Sequence, residues 1–472
     1  MISPHSANPH YFAHKGKPVL LITSDQHYGA VINRDFDYLA FLDTLAAAGM
    51  NFTRIYPGAH IEHDGEFVPD NVLGPRPGRQ ILPWARSRQT GGHEVLGGIK
   101  YDLDTWDDEY FQRLNGFLSA ARDRDIIVDI AFFNGMYKTR WPIQALFHAN
   151  NIQGVGTCDS RYVQTLQDER LVRYQELYVR RITAEAAGYE NVLLDIVDEP
   201  NVDGCPPALY APWISRMIDA VRDEEKSLPR KHVIVQTIEP FTAAVPKDGP
   251  GDFSADPRVT ATAHEYCWGI AHLDTEYEHN KPMILIETNY YPQQYDGLPL
   301  DSSRAEAWEF MVGGGAAFMH LSSLYSTFNA TGKGTDVDAV LGQLKALRAF
   351  LEGFDFAAMR RDTSLLKNGA PAGTFARAIS EPGKQYALYH HHSKHAGWYN
   401  KEIGIGSCYQ PIPGDYSEEL ALELPAGNWR LEWVEPASGR AIAASRLKHG
   451  GGAVTVRTPA HRLDIALAIR KG

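Results

Sequence analysis

Cysteine is scarce: Cys158, Cys205, Cys267 and Cys408 are the four in 472 residues, far apart and without a CxxC pair. This spacing excludes a disulfide framework and a zinc knuckle, and fits free thiols in a reducing compartment. No run of about 18 apolar residues occurs, which excludes a membrane-spanning helix. The start, Met1-Ile-Ser-Pro-His-Ser-Ala-Asn, has no basic stretch followed by an apolar run, so a cytoplasmic protein is expected unless a leader was removed. Positive charge is also short. A formal net charge of −12 opposes a phosphate backbone and argues against nucleic acid as a partner. Repeats, low-complexity tracts and flexible linkers are missing too. What remains is ordinary globular composition, 44% hydrophobic and 22% charged, with a generous 23 Tyr and 9 Trp that suit a sugar cleft or a large core.

From Lys17 onward, short apolar runs alternate with longer amphipathic stretches, the pattern of repeated βα units. Eight strands are predicted at 18–23, 50–56, 126–133, 191–197, 232–237, 259–266, 282–287 and 316–321. Helices are predicted at 36–48, 105–123, 171–187, 213–226 and 336–351, and the segments 57–100 and 134–167 read as long loops after strands two and three. The expected fold is α/β: a (β/α)8 barrel of the TIM type over residues 1–354, followed by a small all-β sandwich over 355–472. In the second part, Gly and Pro turns separate alternating segments at 373–378, 385–389, 420–424, 429–434, 453–456 and 463–468. With no linker between the two parts, the sandwich is expected to dock on the barrel.

Barrel enzymes place their chemistry at the carboxyl ends of the strands. Strand four ends in Asp198-Glu199-Pro200-Asn201 and strand seven in Ile286-Glu287. One carboxyl can then protonate a leaving oxygen while the other attacks an anomeric carbon, the pairing that cleaves a glycosidic bond with retention. Either glutamate alone is equally well a charged residue marking the exit of a strand to solvent; the pair, in these two positions, is what points to catalysis.

These motifs, with His264-Glu265-Tyr266 on strand six, make the chain resemble the clan A glycoside hydrolases, family 5 in particular, over roughly residues 10–352. The resemblance implies Glu199 as acid/base and Glu287 as nucleophile, with no cofactor or metal and a carbohydrate as substrate. It implies that Arg54, on strand two, and Tyr266 hold the nucleophile, and that His264 orients the acid/base or a sugar hydroxyl. The chain departs from the family pattern at three places. Asp198 stands where an asparagine is usual and is expected to bend into the pocket and accept a hydrogen bond from a substrate hydroxyl. Strand three ends in Asn134 rather than histidine, and strand eight offers His320 where a tryptophan is usual.

Further sugar contacts are expected among His27, Asn134, Trp141, Asn151, Tyr290 and His320, with Asp25 also at a strand end. The run Tyr389-His-His-His392 with His395 resembles a metal cluster, but neighbours on a strand alternate faces, so a solvated strand end is expected. Asp25-Gln-His27 offers half of the metal pair used by amidohydrolase barrels, without the histidines those need on strand five, which ends Gln236-Thr237. The competing readings are therefore a carbohydrate-binding barrel without activity and a metal-dependent hydrolase. Exo action is expected because the two long loops should wall one end of the cleft, and self-association into a homo-oligomer is left open.

Overall fold

The computed structural model describes residues 1–200, 202–238, 249–265, 268–291, 298–322, 324–395 and 409–472, without the side chains of 202, 268–269, 289–291, 298–299, 322 and 395. Eight parallel strands form the barrel: β1 (Leu21–Asp25), β2 (Phe52–Ile55), β3 (Ile127–Asn134), β4 (Val192–Asp198), β5 (Val233–Thr237), β6 (Ala261–Glu265), β7 (Met283–Tyr291) and β8 (Ala317–Ser322). Their order around the sheet is β1-β8-β7-β6-β5-β4-β3-β2. Side chains complete the seam between β1 and β2. Asn51 accepts from the Ile22 amide at 3.0 Å and donates to the Leu20 carbonyl at 2.8 Å, imitating a strand neighbour. Asp25 accepts the Arg54 amide at 2.6 Å and the Thr53 hydroxyl at 3.0 Å.

Around this sheet lie α1 (Tyr38–Ala47), α2 (Asp108–Arg122), α3 (Glu169–Ala186), α4 (Pro207–Glu224), α5 (Trp268–Thr275), α6 (Leu298–Val312) and α7 (Val337–Glu352). Asp37, Asp107 and Asp168 cap α1, α2 and α3 by accepting from amides of the first turn. The buried face of α3 runs Leu171, Tyr174, Gln175, Tyr178, Val179 and Ile182, a stripe at helical spacing. Helix α4 begins six residues before the predicted start at 213. Pro207 occupies its first turn, where a missing N–H costs nothing, and Pro212 lies within it, so prolines that read as breakers are part of the helix. An antiparallel ribbon, Trp84–Thr90 with Ile99–Trp106, begins inside the segment read as a loop over 57–100 and runs past its end. Its first strand is polar after Trp84 and Ala85 and has no apolar alternation, while the second does alternate, with Tyr101 and Leu103 buried.

Beyond α7 the chain becomes antiparallel. A six-stranded sheet contains Phe375–Glu381, Gln385–His391, Asp464–Lys471, Gly427–Glu435 and Arg440–His449, with Arg360–Arg361 at one edge. Against it packs the pair Glu419–Leu424 and Gly452–Arg457, enclosing a second core of Leu388, Leu420, Leu422, Trp429, Leu431, Leu467 and Ile469. Four of the six segments predicted here overlap strands of the sheet, and 420–424 and 453–456 lie within the two strands of the pair. The strand Arg440–His449 was not predicted, because it is a half-exposed edge strand with little apolar contrast.

The sandwich grips α6. Arg304 meets Asp464 at 2.7 Å, His391 meets Glu309 at 2.9 Å, and Trp308 stacks on Tyr389 with ring centres 5.5 Å apart. The expected solvated strand end at 389–392 is not observed. His390 and His391 are fully buried and His392 is 8% exposed, because strand alternation sends His391 to the barrel and its neighbours into the sandwich. No helix among the described residues is long and apolar enough to cross a membrane.

Candidate active site

Two backbone features mark the end of β4 and the middle of β7. Glu199 has φ +45° and Glu287 φ +51°, both in the left-handed region that a side chain with a Cβ enters at a cost of about 1–2 kcal/mol. At Glu287 the pairing of β7 with β8 also slips between Leu285 and Thr288, so the residue sits in a bulge that turns its carboxyl away from the ladder. Glu199 directly follows β4 and Glu287 lies at the bulge within β7, and each is nearly buried, at 5% and 7% exposure.

Beneath them lies Arg54, fully buried, with one guanidinium facing four carboxylates. Its Nη2 donates to Asp195 at 2.6 Å, Nε lies 3.2 Å from Asp129, and Nη1 lies 3.0 Å from Asp198 and 3.8 Å from Glu287. Tyr28 and Tyr56 flank it, with ring centres 5.3 and 5.7 Å away. Arg54 and Asp129 are direct partners in the β2–β3 register, so the pair is set by the sheet itself. Asp198 accepts from the Tyr56 hydroxyl and from Asn134 Nδ2 at 3.3 Å, and Asn134 also donates to Tyr56 at 2.8 Å. Asp198, Glu265 and Glu287 bring carboxylate oxygens within 4.8 Å of one another.

One cation among this many acids sorts their protons. Burial opposes ionisation of Asp198, yet Arg54 and the hydrogen bonds around it hold its carboxyl below the usual range. Burial and the charge of Asp198 push Glu265 well above that range. Burial and the charges of Asp198 and Glu199 raise Glu287 as well, with Arg54 pulling the other way. Glu199 is pushed up to about 7 by burial and by Asp198, while a 2.7 Å hydrogen bond from Tyr137 opposes the rise. It is thus a carboxylic acid at near-neutral pH. Asp198 thus carries the negative charge for which Glu265 and Glu287 compete, and Arg54 is the group that draws Glu287 toward ionisation.

The long loops after β2 and β3 build a wall on the Glu199 side. Arg140 lies 3.0 Å from Glu62 and 3.2 Å from Glu66, and its guanidinium covers the Tyr137 ring at 4.0 Å and the Phe67 ring at 4.6 Å. Phe67 is 54% exposed and lies parallel to His27 at 6.2 Å, an aromatic face at the rim. His27 Nδ1 approaches Glu62 at 3.8 Å.

The predicted residues divide between this site and elsewhere. Glu199, Glu287, Arg54, Asp198 and Asn134 come together, and His27 stands in the wall. Asp198 is fully buried, with Oδ2 turned to Arg54, Tyr56 and Asn134, and is closed off from the sugar hydroxyl it was expected to meet. The backbone turns at Glu199, one residue later. His264 faces outward, because alternation along β6 gives the inward place to Glu265; its Nε2 lies 3.1 Å from Glu276, which also holds His272 at 2.7 Å. Trp141 is buried, its indole donating to the Cys158 carbonyl at 2.8 Å, and Asn151 braces the same loop through the carbonyls of Ala145, Phe147 and Val155. Both shape the wall from behind and do not meet its contents. His320 is buried against β1, Nδ1 2.9 Å from the Ser24 hydroxyl. Tyr266 lies outside the described residues, as does the side chain of Tyr290. The metal pair considered for Asp25 and His27 does not form, since Asp25 serves the β1–β2 seam and His27 turns to Glu62.

Tyr56, Tyr137, Glu265, Asp129 and Asp195 were not anticipated. Asp129 and Asp195 did carry a signal, each a lone acid inside an apolar strand. Such a residue needs a buried partner, and Arg54 on β2 is the available one.

Fold and site together define a class: a (β/α)8 barrel with a carboxylic acid at the end of β4 and a carboxylate group at the bulge within β7. No family model and no curated protein matches the chain. Among solved structures, a glycoside hydrolase family 5 protein from Bacteroides vulgatus is similar, with TM-score 0.61 and 12% identity over 100% of this chain and 93% of that one. Another structure described as a glycoside hydrolase gives TM-score 0.61 and 11% identity over 100% and 97% of the two chains. An endo-1,4-beta-mannanase from Rhizomucor miehei gives TM-score 0.52 and 11% identity, covering 74% of this chain and 99% of its own. The chain has the fold of these glycoside hydrolases, barrel and sandwich together in the first two.

Proposed function

We propose that the chain is a retaining glycoside hydrolase in which Glu199 is the acid/base and Glu287 the nucleophile. The observation that carries this reading is the pair of left-handed backbone turns at Glu199 and Glu287, which aim both carboxyls into one walled site above Arg54. In the first step a Glu287 oxygen bonds to the anomeric carbon as the glycosidic oxygen leaves with the proton of Glu199. In the second, Glu199 takes a proton from water, whose oxygen replaces Glu287 on the same carbon and restores both residues. Arg54, 3.8 Å from Glu287, favours the ionised form that the first step needs. The wall of Arg140, Tyr137 and Glu62 favours exo action, since it obstructs one end of a long polysaccharide. Hydrolysis of a panel of nitrophenyl glycosides and natural oligosaccharides, followed by proton NMR of the first product, tests the reading. The newly released sugar should keep the anomeric configuration of the substrate; an inverted product would exclude Glu287 as nucleophile.

The pH profile gives a second check. Glu199 must be protonated to act first, so kcat/KM should fall as pH rises through about 7. Tyr137 favours the charged form of Glu199, so Tyr137→Phe should move this alkaline limb to higher pH while lowering kcat by less than about tenfold, the scale of one neutral hydrogen bond. An alkaline limb that stays in place in Tyr137→Phe would separate it from Glu199.

A further inference from the structure

A cluster remains that the catalytic reading does not use. His390 and His392 stand two residues apart at the end of the strand Gln385–His391 and so share a face, while His391 between them turns to Glu309 on α6. His461 and Glu418 reach the same point from the segments leading into Asp464–Lys471 and Glu419–Leu424. One ligand atom from each of the four lies within 4.8 Å of the others. Nε2 of His392 is 2.5 Å from one Glu418 oxygen, and Nε2 of His461 is 3.6 Å from the other. The Nε2 of His461 and both ring nitrogens of the fully buried His390 are enclosed without a hydrogen-bond partner. Each such atom costs on the order of 1–3 kcal/mol when nothing satisfies it.

The surroundings present these rings as ligands. Nδ1 of His461 lies 3.0 Å from the Pro459 carbonyl and donates to it, which leaves the Nε2 lone pair directed at the cluster. His392 stacks on Tyr416 at 3.4 Å, and the Tyr416 and His461 backbones exchange two hydrogen bonds, fixing the two rings relative to each other.

We propose that His390, His392, His461 and Glu418 bind one divalent transition-metal ion, zinc above all, as a structural centre of the β-sandwich. Three imidazoles and one carboxylate form a borderline-soft set that suits zinc and its neighbours and not calcium or magnesium, which take oxygen ligands. With bonds of about 2.0–2.2 Å, tetrahedral ligand atoms stand about 3.3–3.5 Å apart, so closure asks the widest pairs to move inward by roughly 1 Å. Four protein ligands fill the coordination sphere, as in centres that hold structure and do no chemistry. The ion would tie three separate segments together directly behind His391 and Asp464, the two residues with which the sandwich grips Glu309 and Arg304 of α6.

Full-length protein dialysed against EDTA and then buffer should take up one equivalent of zinc by calorimetry and by elemental analysis, with thermal unfolding raised by several degrees. Cobalt in its place should give the intense visible absorption of a tetrahedral site. The double variant His390→Ala/His461→Ala, folded by circular dichroism, should lose that equivalent. If this variant does not fold, Glu418→Gln at the rim should weaken zinc binding by about tenfold or more. Wild-type protein that binds less than a tenth of an equivalent would overturn the proposal. So would zinc binding of unchanged affinity in the variants, which would place the ion elsewhere, for example on His264, His272 and Glu276.

Discussion

Replacing Glu287 by glutamine should lower kcat by more than about a thousandfold, or over ~4 kcal/mol of barrier, because the bond-forming atom itself is removed. Glu287→Gly opens space for a small anion. Azide added to that variant should attack the anomeric carbon from the side that Glu287 vacated and yield a glycosyl azide of inverted configuration. Stability should move the opposite way. Glycine accepts φ +51° without strain, and the change withdraws one buried acid from beside Asp198 and Glu265, so Glu287→Gly should gain about 1–2 kcal/mol in unfolding free energy. Activity lost with stability gained distinguishes a catalytic residue held in strain from a structural one. A loss of activity below about a hundredfold, or variants less stable than the parent, would remove Glu287 from the nucleophile's place.

How much of this was legible in the sequence depends on which period each residue obeys. The barrel strands are short apolar runs closed by glycine, proline or charge, and all eight overlap the runs that pattern marks, the first displaced to Leu21–Asp25 because Lys17–Val19 pairs with Phe12–His14 in a separate sheet. Glu199 and Glu287 were found because each ends such a run. The rest of the site follows from alternation at single positions. In His264-Glu265-Tyr266 the resemblance directs attention to the outer two residues, but β6 turns the middle one inward, and Glu265 joins the acids while His264 pairs with Glu276. In the histidine run alternation again decides the outcome, and the solvated strand end expected there is wrong: His391 turns to Glu309, while His390 and His392, two apart, share a face buried in the sandwich. Partners such as Glu418 and His461 are distant in sequence and come together only through sheet pairing, which no local pattern encodes. Tyr137 and Arg140 lie in a loop without periodicity, so their approach to Glu199 and Glu62 could not be read before the loop was folded.

The largest combined effect on stability and chemistry is expected at Arg54. Its single charge stands against Asp129, Asp195, Asp198 and Glu287, all at most 7% exposed. Removing one member of a buried charge cluster leaves the others uncompensated, at a cost of about 3–5 kcal/mol. Arg54→Met should therefore unfold at a temperature lower by roughly 3–5 °C, taking about 1 °C per kcal/mol for a chain of 472 residues. Arg54→Lys should recover only part of this, since one ammonium cannot span the three directions that the guanidinium serves. The sign of the pH effect follows from the same charge. Arg54 favours the ionised form of Glu287, and the reaction needs that form. Weakening it must raise the proton affinity of Glu287 and move the acidic limb of kcat/KM to higher pH. Asp195, raised to about 6 by burial even with Arg54 present, supplies the control. In Arg54→Met/Asp195→Asn the excess acid is removed together with the cation, so unfolding temperature should partly recover while activity stays low. If Arg54→Lys instead leaves both the acidic limb and the unfolding temperature where they were, the guanidinium is a spectator and charge balance does not organise this site.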